Sequence, residues 1–370
     1  MASVYLKNLK ISLFGESHSQ IMGATLDGIC PGIKIDFDKI NKELNKRKAC
    51  DTLSTDRHEM DDYKIVSGVF NGYTTGTPIT ILMENRDVDS SKYENIKNTP
   101  RPSHADYCNI VKSLGYNDYR GGGHSSGRLT APLVAVGAIC KQILSNKNIY
   151  IGSHIKKIHD VIDDEFDKNN YYEEIIKMND ESFPVLNQEK KQMMIETIKL
   201  AKSNFDSVGG EIETVVYNCP SGLGEPFFDS VESEVSSLLF SIPAVKGVSF
   251  GKGFAFSRFF GSEVNDSLYY DGEKVKTKTN NNGGINGGIT NGMPIVINTV
   301  IKPTPSIGKE QDTIDLLKKE NVKLKIEGRH DPCICHRSVV VIESMVAIAI
   351  LNLYISREGR LSMKWKESVY

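Results

Sequence analysis

Six consecutive residues near the end of the chain, Gly328-Arg329-His330-Asp331-Pro332-Cys333, gather a cation, an imidazole and a carboxylate between a small residue and a stiffening proline. Such a set can hold an anion, move a proton and orient its own members. Three other stretches share the character: Phe14-Gly15-Glu16-Ser17-His18, Arg101-Pro102-Ser103-His104-Ala105-Asp106-Tyr107, and Arg120-Gly121-Gly122-Gly123-His124-Ser125-Ser126-Gly127-Arg128. Read together, these four distant segments fold around one set of anionic ligands. His18 and His104 sit in polar turns rather than on apolar faces, and histidine alone titrates near neutrality when unperturbed. A lone histidine is more often a hydrogen-bonded or solvated side chain. With Arg101 and Arg329 nearby, this pair suits protonation of a bound or departing anion.

His124-Ser125-Ser126-Gly127-Arg128 runs directly into a helical pattern, so backbone N–H groups, hydroxyls and a guanidinium can cradle a phosphate there. Equally, Ser125 or Ser126 can be a plain N-cap and the glycines a mobile loop. The motif is not G-x-G-x-x-G and no strand-helix-strand unit frames it, which disfavours a dinucleotide fold. Cys333-Ile334-Cys335-His336 offers metal-ligand types but lacks the second knuckle of a structural zinc site, so no metal is expected. Lys46, Arg47, Lys48 and Arg57 read either as a solvated helix end and loop, or as cations gripping a substrate carboxylate or phosphate.

The elements that must position these groups can be read in order. The stretch Val4 to Gly15 is extended, and Asp36 or Asp38 caps a helix reaching about Lys48 with Ile40 and Leu44 inward. The polar run Asp51 to Asp62 reads as a mobile loop. Two β-rich runs between Tyr63 and Met83 form a hairpin. Leu129, Leu133, Val136, Ile139 and Ile143 mark a helix over 128–145. Further helices are expected at 171–177, 189–203 and 233–240, strands at 149–158, 211–217 and 294–300, and two extended pieces between Val248 and Phe260. A charged linker leads to a buried helix from Ser338 to Tyr354, and 357–370 reads as a frayed tail. Interspersed helices and strands without strict alternation favour α+β over a doubly wound sheet.

Charge is nearly balanced, 45 basic against 47 acidic residues, so no global field argues for nucleic acid or an anionic membrane. Met1 to Ile11 carries no secretion signal, no run approaches the ~20 apolar residues of a membrane span, and seven scattered cysteines form no disulfide ladder. A reduced, cytoplasmic protein is expected. At 370 residues a length prior suggests two domains, yet no interdomain linker stands out.

The four segments in their order resemble the chorismate synthase family. The resemblance continues through Ser67-Gly68-Val69-Phe70, Gly222-Leu223-Gly224-Glu225-Pro226, Ala244-Val245-Lys246-Gly247, the paired glycines from Gly283 to Gly288, and Lys302-Pro303-Thr304. It implies a single-domain β-α-β sandwich over 1–370, a homotetramer, and a carbon-oxygen lyase acting on a phosphate. The implied reaction is 1,4-anti elimination of phosphate from 5-enolpyruvylshikimate-3-phosphate, giving chorismate on the way to aromatic amino acids. It uses reduced FMN (FMNH2) without net redox change, the reduced flavin coming from outside.

By the same resemblance, His18 protonates the leaving phosphate, His104 supports the anionic reduced flavin, and Asp331 is the base with Arg329 beside it. Ser17 and Ser126 belong to the same site. Flavin contacts fall to His124, Ser125, Ser126, Ala244, Gly287, Arg329 and the run Lys302, Pro303, Thr304, Pro305 and Ser306. Arg101 and Arg128 hold the substrate, with Lys46 the first choice from the helix tail and Arg47 the second. The family's paired arginines are replaced here by Lys46-Arg47-Lys48, and its flavin-touching asparagine by Pro243. Two other functions compete: a flavin reductase consuming NADPH, and a non-catalytic flavin-binding protein.

Overall fold

The computed structural model describes residues 3–48, 61–86, 93–94, 97–326 and 331–363. Two five-stranded sheets enclose a layer of helices. In the first, Val4–Leu6, Lys10–Phe14, Ile21–Asp27, Ile79–Glu84 and Tyr63–Ser67 lie side by side in that order. In the second the order is Val245–Phe250, Ile295–Ile301, Gly210–Tyr217, Tyr150–Ile158 and Val161–Ile162. Every pairing in both sheets is antiparallel, which matches the expected α+β class.

The helices are α1 (Phe37–Arg47), α2 (Asp106–Lys112), α3 (Thr130–Ser145), α4 (Tyr171–Met178), α5 (Gln188–Ser203), α6 (Val231–Leu239), α7 (Gly261–Val264) and α8 (Cys335–Glu358). Asp36 caps α1 as its sequence predicts, its carboxylate accepting from the N–H groups of Asp38 and Lys39 at 3.1 and 3.2 Å. α3 and α8 form the middle layer, packed against each other, with α1 and α6 alongside. They cross closely: a Cβ on Gly137 would come within 2.5 Å of the Ser344 Cα. α8 is buried on most faces because the second sheet covers one side of it and α3, α6 and α1 cover others. Contrary to the sequence reading, α8 and the segment Gly127–Ser145 are each long and apolar enough to cross a membrane; 89% and 83% of the two lie buried inside the fold.

Three local expectations give way. The second extended piece before Phe260 is a 3-10 turn over Gly253–Arg258. The charged linker contains a hairpin, Gln311–Asp315 with Glu320–Leu324, whose alternating polar residues face solvent. The tail expected from 357 remains structured to 363, because Met363 is buried and Arg360 donates to the carbonyls of Ile29 and Gly76. Most of the polar run expected to be a mobile loop lies outside the described residues, but Asp61 within it is buried.

Candidate active site

His18, His104 and Asp331 line a single cleft of about 1430 Å³ between the edge of the helical layer and the ends of both sheets. Each is delivered by a different kind of local structure. His18 lies in the turn after Lys10–Phe14, buried, with its ring edge-on to Tyr93 at 5.2 Å. His104 precedes α2, and its Nδ1 lies 2.7 Å from Asp106 and 3.2 Å from the Arg101 guanidinium. Arginine can only donate, so the shorter contact to the carboxylate assigns the Nδ1 proton, and Nε2 is the nitrogen left to exchange one. Burial opposes ionisation of Asp106, but hydrogen bonds from Arg101 and His104 overcome it and hold the carboxyl well below its usual range.

Between these histidines runs Gly121-Gly122-Gly123, all at positive φ. A Cβ on Gly121 would sit 2.5 Å from Ser17 Oγ and 2.8 Å from the His18 ring, and one on Gly122 would sit 3.1 Å from His104 Cε1. Glycine is required here both for the backbone conformation and for the approach of two imidazoles. Ser126 caps the 3-10 turn Gly127–Leu129 by accepting from the Arg128 N–H, so the N-cap reading of that stretch holds and its hydroxyl still faces the cleft.

His124 is stapled rather than open. Nδ1 lies 2.6 Å from the Gly15 carbonyl and Nε2 2.6 Å from Ser3 Oγ, so the ring braces the His18 turn while lining the cleft. Ser125, Ala244, Lys302, Thr304, Pro305 and Ser306 line the same cleft. Pro303 turns aside against Gly209, and Gly287 sits exposed at a hairpin turn that does not line the cleft. Arg329 lies outside the described residues.

Among the cations, Arg47, Arg101 and Arg128 reach the cleft and Lys46 does not. Lys46 turns to Glu43 at 2.8 Å, within a cluster where Lys141 also binds Glu43 and Glu343. Of the two helix-tail residues expected to grip the substrate, only Arg47 lines the cleft. Helical phase is the reason: Ile40, Leu44 and Arg47 fall on one buried stripe of α1, and Lys46 does not. Burial, and then the like charge of Lys246, pushes the Lys302 ammonium below its ordinary value.

Three groups were not singled out from sequence. Asp61 accepts from both Arg47 and Arg128. Arg337 holds Asp331 at 2.8 Å; it falls on the α8 stripe Ile334-Arg337-Ser338-Val341-Met345 that faces the cleft, a periodicity visible in the sequence. Tyr93 stacks under Arg101, 5.9 Å from its ring centre, and no local pattern announces it.

The sequence and the fold are shared with known proteins. Residues 9–355 match the family model for chorismate synthase. The chain belongs to the chorismate synthase family. The chorismate synthase of Pyrococcus abyssi is 47% identical over 344 residues, covering 93% of this chain and 95% of that protein. That of Thermococcus kodakarensis is 45% identical over 353 residues, covering 95% and 98%. A crystal structure of a chorismate synthase superposes with a TM-score of 0.73 at 28% identity, covering 97% of both chains. Membership of the chorismate synthases makes the protein a lyase acting on a small molecule, and the sandwich described above is the family's fold.

Proposed function

We propose that the protein eliminates phosphate from 5-enolpyruvylshikimate-3-phosphate in a 1,4-anti sense, giving chorismate, with reduced FMN bound beside the substrate. The observation that carries this reading is the convergence of His18, His104 and Asp331 on one cation-rich cleft. Its volume exceeds the roughly 300–1,000 Å³ of an ordinary single-ligand pocket, so a flavin and a substrate can share it.

The residues present fit a flavin phosphate and ring. Thr304, which lines the cleft, has its Oγ1 buried without a hydrogen-bond partner among the described residues. Lys302 and Lys246 sit close enough to repel each other, a pairing that an anion relieves. Lys302, Thr304, Ser306 and Ala244 would hold the cofactor, and Ser125 and Ser126 would bound it on the far wall. Reduced FMN held there would supply transient electron density to the elimination, with no net oxidation.

The chain's own groups complete the elimination. Arg47 and Arg128 hold the phosphate dianion by charge-assisted hydrogen bonds, in the bound substrate as in the transition state. His18 delivers a proton to the leaving phosphate. Asp331, oriented by Arg337, accepts the proton from the breaking C–H bond, whose electrons form the new double bond. His104, fixed through Nδ1 by Asp106, presents Nε2 as the proton donor that supports an anionic neighbour.

The working enzyme in this reading is a cytoplasmic homotetramer supplied with reduced flavin from outside. The test is anaerobic phosphate release with photoreduced FMN, wild type against His104→Ala. Turnover should fall by about 10²–10⁴-fold in the variant. Unchanged turnover in folded His104→Ala would remove the histidine assignments. NADPH consumption without substrate would favour a flavin reductase instead.

A further inference from the structure

We propose that Asp61 is the positioning residue that holds Arg47 and Arg128 as a matched pair, and so sets affinity for the phosphorylated substrate. The proposal rests on the functional reading above. Its carboxylate has 0% side-chain exposure, and the two arginines have 4% and 5%. Two guanidinium groups enclosed this fully repel each other and would splay apart. One carboxylate prevents that. It takes Nε and Nη2 of Arg47 at 3.1 and 2.8 Å on one side and Nη1 of Arg128 on the other.

Asp61 does not itself line the cleft, but two further observations tie it to the residues that do. Its backbone φ is +50°, a conformation that aspartate tolerates better than most residues, and the chain keeps it while burying the side chain. It is also the middle of a continuous hydrogen-bonded chain. On one side Arg128 Nε donates to Asn85 Oδ1 at 3.1 Å, and Asn85 Nδ2 donates to the carbonyls of Glu16 and Ser19, which flank His18. On the other side the Arg47 carbonyl accepts from Arg337 Nε at 2.9 Å, and Arg337 Nη1 holds Asp331. The anion-binding pair thus bridges the turn carrying the proposed acid and the proposed base.

Asp61→Glu and Asp61→Asn test this. Glutamate keeps the charge but moves the carboxylate outward by one methylene; asparagine keeps the shape and loses the charge. KM is read from phosphate release, and substrate Kd from calorimetric titration of protein carrying oxidised FMN, where no turnover occurs. Asp61→Glu is expected to fold, with KM and Kd raised about tenfold or more and kcat within about threefold, the pattern of lost uniform binding. If Asp61→Asn fails to fold because the guanidiniums lose their counter-charge, Asp61→Glu decides alone. A folded Asp61→Glu that binds substrate like wild type overturns the proposal, since charge balance without placement would then suffice. So does a fall in kcat with KM unmoved. A wild-type protein that neither binds nor turns over the substrate sinks the functional reading itself, a result separable from the first two.

Discussion

At the scale of single residues, His18 and Lys302 bear the most direct consequences. His18 is buried against Tyr93 and wedged by Gly121, so its ring has little freedom to be replaced by water. His18→Ala should reduce kcat by about 10²–10⁴-fold while KM moves far less, as expected of a proton donor acting in the transition state. Stopped-flow phosphate release against substrate concentration separates the two constants. Lys302 answers a different question. Its ammonium is already destabilised by burial and by Lys246, so a bound phosphate restores it. Lys302→Met should weaken FMN binding by about tenfold, read from flavin fluorescence quenching, and should flatten the salt dependence of that binding.

At the scale of elements, the α3–α8 crossing and the outer face of the second sheet can each be broken by one change. Gly137 lets the two helices touch, and a Cβ there would come 2.2 Å from the Ser344 Cβ. Gly137→Val should destabilise the fold by about 1–3 kcal/mol through overpacking, measured by urea denaturation. On the second sheet, His154 is wholly enclosed, with Nδ1 2.8 Å from Asp163, Nε2 3.5 Å from Glu213, and Phe166 edge-on. Lys156 and Asn298 complete the cluster.

Burial alone would lower the His154 value, but the hydrogen bond to Asp163 and the contact with Glu213 outweigh it and raise the imidazole above 6.5. A folded value above the unfolded one makes the contribution complete below pH 6.5. It is lost as pH rises through the folded value. Denaturation midpoints measured upward from pH 6 should therefore fall on the alkaline side, and His154→Leu should remove that dependence. The substitution should also cost about 3–5 kcal/mol, because the buried Asp163 carboxylate loses its cation.

At the scale of the whole molecule, the surface carries more exposed aromatic rings than a lone protein ordinarily presents. Phe254, Phe260 and Tyr270 lie 86%, 80% and 78% exposed, and Phe227 and Phe228 project beside each other. Exposed rings such as these are available to an interface between chains. In keeping with the homotetramer of the proposed function, sedimentation equilibrium should give four chains, and Phe260→Asp should shift the population toward smaller species.

The sequence by itself determined the family and most of the element types. Motif residues carry their functional groups wherever the chain goes, and strong periodicities such as Leu129 to Ile143 or Ser338 to Tyr354 admit one regular structure each. Arg47 and Arg337 were legible too, had helical phase been followed through the polar ends of α1 and α8. Asp61 was not, because nothing local in a polar run says which carboxylate will be enclosed. Only the tertiary structure decided that Asp61 meets arginines from two helical segments, that His124 braces Gly15, and that Gly287 stands apart from the cleft. Those outcomes depend on contacts between residues tens to hundreds of positions apart. Such contacts are fixed by how sheets and helices stack, and periodicity along the chain holds no record of it.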